Sequence, residues 1–140
     1  VKGKSRLNKY EKLIMIFPGF REPLGMKIGF ENFCANFEFD YEIITEFKNR
    51  EINKGEVYVI PSDRDLVRVI EKANLQDLEL GNDFGIISYN ETPLKKIVAN
   101  GITTISTNFE AIGKILAQMI LKGKKEQIEN KSALIIRNSL

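Results

Sequence analysis

Histidine is absent from these 140 residues, and cysteine occurs once. Without histidine there can be no Ser-His-Asp triad, and the usual zinc ligand sets lose their commonest member. With a single cysteine there can be no internal disulfide. Cys34 sits in the apolar helical context FENFCANF with no basic pair nearby to lower its pKa, so it reads as an inert core thiol. A lone buried thiol also suits a reducing, cytoplasmic compartment. Long hydrophobic runs are missing as well. The longest, Leu13 to Phe17 and Phe84 to Ser88, have strand length, well short of the ~18 apolar residues a membrane helix needs. No membrane partner is expected, and nothing at the start reads as a secretory leader. Charge of one sign is lacking too. Charged residues make up 29% but nearly cancel to +2, without the clustered basic face that marks nucleic-acid binding.

What is present is enough apolar material, 43% of residues, to bury a real core in one domain or one lobe. Short β-rich runs occur at LIMIF (13–17), YEIIT (41–45), EVYVI (56–60), FGIIS (84–88), ITTIS (102–106) and ALIIR (133–137). They are continuously apolar rather than alternating, as strands buried on both faces are. Amphipathic stretches lie between most of them. Helices are expected over Lys4 to Lys12, Pro23 to Phe37, Ser62 to Ala73, Pro93 to Asn100 (short) and Asn108 to Lys122. Ser62 with Asp65, and Thr107 with Glu110, have capping-box spacing. Asn74, Asn100-Gly101 and Gly123 stand where helices should stop. The alternation implies an α/β fold with a parallel sheet and helices on both faces.

The last helix is unusual. In FEAIGKILAQMILK (109–122) the polar residues Glu110, Lys114, Gln118 and Lys122 form one narrow stripe. Phe109, Ile112, Ile115, Leu116, Met119, Ile120 and Leu121 make most of the circumference apolar, wider than a surface helix normally shows. Such a helix is covered on two sides, either as a central core helix or by packing on a missing lobe or a partner subunit.

Five segments, in order, resemble the effector domain of lactose-repressor (LacI/GalR) regulators, which is also found attached to GntR-type DNA-binding domains. They are GFENF (29–33), VIPSDRDLVRVI (59–70), GIISYNETP (85–93), GITTISTNF (101–109) and LIIRNSL (134–140). The resemblance implies a Rossmann-like or flavodoxin-like parallel sheet forming one lobe of a type I periplasmic-binding-protein-like domain. Residues 1–140 would be its carboxyl-terminal lobe. About 108–140 would include elements completing the missing amino-terminal lobe. It further implies a sugar or sugar-phosphate effector, a cytoplasmic homodimer, and contact with DNA only through an amino-terminal domain outside this chain. No cofactor, metal or catalytic residue is implied.

Ligands of open parallel sheets bind outside the carboxyl ends of the strands. The loops there carry Pro18 to Arg21, Ser62 to Arg64 and Asn90 to Thr92. These offer hydroxyl, amide, carboxylate and guanidinium groups, the mixture a sugar requires, with Phe20 and Tyr89 available as an apolar wall. By the resemblance, Asn90 stands where the family commonly has a ligand-binding Asp, and Ser62 and Asp63 occupy a turn that often contributes Asn-Asp. The candidate ligand-binding set is therefore Phe20, Arg21, Ser62, Asp63, Tyr89 and Asn90. Asp63 could instead serve the helix start, and Tyr89 strand-end packing. Met26 departs from the family, which usually has a sugar-binding Arg there; Arg21 is the available substitute.

Other signals carry less. Gly3-Lys4-Ser5 lacks the strand and first glycine of a phosphate-binding loop, and the basic cluster from Lys122 to Lys125 suits a helix's negative end. Asp63, Asp65 and Glu91 have no histidine to make them an acid–base set. A receiver domain would need an acidic pair after LIMIFPGF. The reading is a sugar-sensing regulatory domain; the alternatives are an exported sugar-binding protein of a transporter or a small flavodoxin-like enzyme.

Overall fold

The structure is a computed structural model that describes residues 3–140. Six strands form one sheet in the order β2-β1-β3-β4-β5-β6. They are β1 (Lys12–Ile16), β2 (Asp40–Ile44), β3 (Glu56–Ile60), β4 (Gly85–Tyr89), β5 (Thr103–Thr107) and β6 (Ser132–Ile135). The first five are parallel, and β6 pairs antiparallel with β5. Each expected strand is present, five of them within a residue of their expected limits, while the last ends at Ile135, two residues earlier than expected; β3 is buried at all five positions. The fold is thus α/β, with a mostly parallel sheet flanked by helices.

Helix α1 (Lys4–Leu7) is followed by β1, α2 (Leu24–Phe37) lies between β1 and β2, α3 (Asp63–Leu75) between β3 and β4, and α4 (Phe109–Lys122) between β5 and β6. The two faces of the sheet bury separate cores. On one, Ile14, Tyr58, Ile60 and Ile86 pack with Leu66, Val69 and Ala73 of α3. On the other, Leu13, Met15, Val57 and Ile87 pack with Phe30 and Cys34 of α2. The alternation along each strand is the two-residue period of a pleated sheet. In α3 the buried residues recur at helical spacing, and Asp63 and Asp65 in its first turn suit the positive end of the helix dipole. Two glycines weaken α2 locally, so packing of its buried side chains must sustain it. Cys34 is fully buried, and burial pushes its thiol up to about 11. It is an inert core residue, as expected.

Four local expectations need correction. The first helix ends at Leu7 rather than Lys12, because Glu11 and Lys12 donate their N–H groups to Gly55 O and are drawn into the sheet. The short helix over 93–100 is two 3-10 turns, Leu94–Lys96 and Val98–Asn100, broken where Ala99 turns left-handed at φ 47°. Helix α3 runs past Asn74 to Leu75. Neither capping box forms: Ser62 caps with no side-chain bond and Asp65 pairs with Arg68, while Asn108, not Thr107, caps α4 by accepting from Ala111 N at 2.9 Å.

The antiparallel final strand follows from the route of the chain. Residues 108–131 leave the sheet at the carboxyl end of β5 and return at the same end, where Thr107 is opposite Ser132. A strand re-entering from that end must run backwards. The base of the excursion is closed by Asn130 Nδ2 donating to Asn108 O at 3.0 Å. No residue of α4 is buried: Ile112, Ile115 and Met119 are half-covered, while Ile120 and Leu121 are 80% and 86% exposed. This helix is not a central core helix.

The carboxyl terminus is anchored in the sheet. Ser139 Oγ donates to Ile86 O and accepts from Thr103 N, both at 2.7 Å. Beside it, Gly81 has φ 86°, and an added Cβ would lie 2.0 Å from Asn138 O. A side chain there meets both left-handed strain and rigid backbone. Gly81→Ala is expected to lower unfolding stability by at least about 2 kcal/mol, measured by urea titration. An unchanged midpoint would show that this turn is not held as described.

Candidate functional site

From β1 the chain steps outward to β2, and from β3 it steps the other way to β4, so the connections diverge between β1 and β3. A crevice beyond the strand ends is expected at such a switch point. A cleft of about 750 Å³ lies there, lined by Pro18, Phe20, Arg21 and Glu22 after β1, by Thr45 and Glu46 after β2, and by Ser62 and Arg64 after β3.

Local chemistry shapes the loop after β1. Gly19 takes φ 81°, and the Glu22 carboxylate accepts from Gly19 N at 3.1 Å and Arg21 N at 3.2 Å. Desolvation works against Glu22 ionisation, but these backbone N–H groups hold its carboxyl below the usual range. Phe20 is left 92% exposed. Some charges along the cleft are already paired, Asp65 with Arg68 at 3.2 Å and Glu46 with Lys48 at 2.7 Å. Arg21 and Arg64 form no ion pair among the described residues, so their guanidinium donors remain available. Among the described residues, no cluster of three or more Cys, Asp and Glu could hold a metal.

Of the six candidates, Phe20, Arg21 and Ser62 line this cleft. Asp63 follows Ser62 in the first turn of α3 and pairs with Lys95 at 2.8 Å. Asn90 is one strand further along, exposed, in a left-handed turn at φ 63° with its N–H donated to Ile105 O at 2.9 Å. Tyr89 points elsewhere. Its ring enters the core on the α2 face, where burial pushes its phenol up.

Two devices hold the loop after β4. Glu91 takes a bidentate pair from Arg137, Nη1 to Oε2 at 3.0 Å and Nη2 to Oε1 at 2.5 Å, and also accepts from Thr104 Oγ1. Lys95 donates to Tyr89 O and Asn90 O. In the sequence Glu91 reads only as an acid without a histidine partner, and nothing marks Lys95. A lysine in a short amphipathic stretch gives no signal that it will be buried.

A second cavity, about 500 Å³, lies on the α2 face among Gly25, Gly29, Phe33, Ile87, Ile105 and Leu134. It is bounded by α2, by the strand residues Leu13, Val59, Ile87 and Ile105, and by Leu7 and Leu134 at its ends. Its lining offers few hydrogen-bonding groups, so it suits an apolar segment rather than a polyol. The β1/β3 cleft is different. It combines guanidinium and hydroxyl donors, carboxylate acceptors and an exposed ring, as recognition of a hydroxyl-rich small molecule requires.

A family model described as "Periplasmic binding protein-like domain" matches residues 40–140. Several solved structures share the fold. A LacI family transcriptional regulator from Bifidobacterium animalis subsp. lactis superposes with TM-score 0.75 at 15% identity, covering 96% of this chain and 58% of that one. A periplasmic binding protein/LacI transcriptional regulator from Alkaliphilus metalliredigens, complexed with D-xylulofuranose, gives 0.71 at 17% identity, covering 96% and 59%. The Escherichia coli transcriptional repressor ascG gives 0.71 at 11% identity, covering 97% and 57%. The chain therefore spans less than two thirds of these structures. No curated protein sequence matches it.

The Glu91–Arg137 clamp has a pH signature. Hydrogen bonding from Arg137 holds the Glu91 carboxyl below its ordinary range despite some desolvation. Its stabilisation is therefore complete above the unfolded carboxylate pKa of about 4.3 and is lost as pH falls below it. Arg137→Met is expected to cost about 2 kcal/mol at pH 7, with a smaller penalty at pH 3. Urea unfolding at both pH values checks this, and equal penalties would contradict it.

Proposed function

This chain belongs to the periplasmic binding protein-like domain family, and on that premise we propose that it is the effector-binding lobe of a sugar-responsive transcriptional regulator. The carrying observation is the cleft at the β1/β3 switch point, where Arg21, Arg64, Ser62 and Phe20 surround open space. Phe20 supplies the apolar wall, Arg21 and Ser62 the donors, and Asp63 and Asn90 the adjoining polar rim. Arg21 stands in for the arginine that Met26 replaces. Tyr89 serves the rim only through its carbonyl, which accepts from Lys95, while its ring lies on the α2 face. The ligand is a sugar or sugar phosphate, consistent with the D-xylulofuranose held by the Alkaliphilus neighbour.

In this reading the opposing jaw of the cleft lies in polypeptide outside residues 1–140, and α4 belongs against it. The open face of α4, with Ile120 and Leu121 in solvent, supports that assignment. Closure of two jaws around an effector would move an attached DNA-reading domain, of the LacI or GntR type, in a cytoplasmic homodimer. The ligand can drive this only to the extent that it binds the closed state better than the open one. The domain performs no catalysis of its own.

A thermal-shift screen of D-glucose, D-galactose, D-fructose, D-xylulose, maltose and their phosphates on the full-length protein tests this. At least one sugar should raise Tm, since ligand bound only to the folded state stabilises it. In Arg21→Ala and Asn90→Ala, affinity should fall about tenfold or more, the loss of roughly one charge-assisted hydrogen bond. Tm without ligand should barely move in Arg21→Ala, whose side chain is exposed, and fall slightly in Asn90→Ala, because alanine tolerates the left-handed turn less well than asparagine. A screen without any shift would sink the sugar reading.

The lobe assignment has its own test. Residues 1–140 alone should dimerise or aggregate through α4 in sedimentation. A monomer with α4 protected from hydrogen exchange would overturn it.

A further inference from the structure

Lys95 is the most buried charged side chain near the rim, with 4% of the residue exposed. Its ammonium has three N–H donors, and three acceptors surround it: Tyr89 O at 2.6 Å, Asn90 O at 3.1 Å and Asp63 Oδ1 at 2.8 Å. A desolvated ammonium is costly unless every donor is used, and here every donor is used. Lys95 thus has none left for a ligand. Yet it joins the turn after β4 to the first turn of α3, which adjoins Ser62 and Arg64 in the cleft wall. Asp63 itself stays 69% exposed, held by one oxygen.

We propose that Lys95 is the positioning residue of the effector rim, locking the Asn90 turn and the Asp63 carboxylate side by side so that the β4 loop becomes part of the β1/β3 cleft. The inference rests on the reading of that cleft as the sugar site. Two rim groups bound to one nitrogen lie within about 6 Å of each other, close enough for both to reach one sugar. The left-handed turn at Asn90 directs two successive carbonyls at the ammonium, and Asn90 N–H is returned to Ile105 O. Asp63 enters with its charge already neutralised. It is therefore a hydrogen-bond acceptor for hydroxyls rather than a free anion repelling a phosphorylated ligand. The backbone of Lys95 is tied down as well, its carbonyl accepting from Ile102 N at 2.7 Å. The post is fixed at both ends.

The test compares Lys95→Met, Asp63→Asn and the double variant in the full-length protein. Amide hydrogen exchange is read first and needs no ligand. In Lys95→Met, exchange at Asn90 should quicken at least tenfold while core amides of Val57 to Ile60 change less than twofold. Parallel acceleration of both would mean Lys95 merely packs, overturning the proposal. If Lys95→Met does not fold, Asp63→Ala on the exposed side should quicken Asn90 exchange about threefold, and no change there would be equally fatal. Affinity is read second, with the sugar panel above as probe. Each single variant should weaken binding at least tenfold, and the double variant little further, because both remove one coupled unit. Additive losses would overturn the idea. If the parent protein binds no sugar of the panel, the sensing reading fails separately, and the exchange contrast still decides the role of Lys95.

Discussion

The two helices flanking β1 and β3 are forced onto opposite faces of one sheet, and the rest of the molecule depends on that divergence. Strand order moves one way from β1 and the other way from β3. With right-handed crossovers, α2 and α3 must then lie on different sides. The two separate cores follow from it. So does the crevice between the loops that lead into those helices, since no connection crosses the gap they leave.

Polar groups at the rim fall into two classes, and the distinction gives the site its character. Glu91, Arg137, Thr104 and Lys95 are consumed by internal bonds that fasten the β4 loop to β5, the carboxyl terminus and α3. Arg21, Arg64 and Ser62 are left facing the cleft. A rim whose charges were all satisfied internally would have nothing for a ligand, and one with none satisfied would not hold its shape. The paired groups are the less exposed ones, where an unmatched charge costs most.

Apolar surface left open by the sheet concentrates in two places. The α2 face holds an apolar cavity over β3, β4 and β5, and α4 carries an apolar face away from its own sheet. Both are larger than scattered surface hydrophobics, which ordinary folds tolerate.

Periodicity and composition were sufficient for the strands, the main helices, the parallel sheet, the inert Cys34 and the oddity of α4. Each of these depends on burial of apolar groups repeated along the chain, which a linear pattern records. Five segments beginning with GFENF resembled the LacI/GalR effector domain, and the periplasmic binding protein-like family model spans the four of them that lie within residues 40–140. Phe20, Arg21 and Ser62 were legible as a group because strand-end loops of a parallel sheet must cluster at one edge. Tyr89 was legible as a strand end, but its side depended on sheet register, which turned the ring into the core. The backward β6, the left-handed break at Ala99 and the capture of Lys95 were decided only by tertiary structure. Each turns on where a distant group arrives: Ser132 opposite Thr107, Ile102 N on Lys95 O, Asp63 beside a lysine. A residue's own neighbours in the chain carry no record of such meetings, because their energy comes from desolvation and hydrogen bonding between segments far apart in sequence.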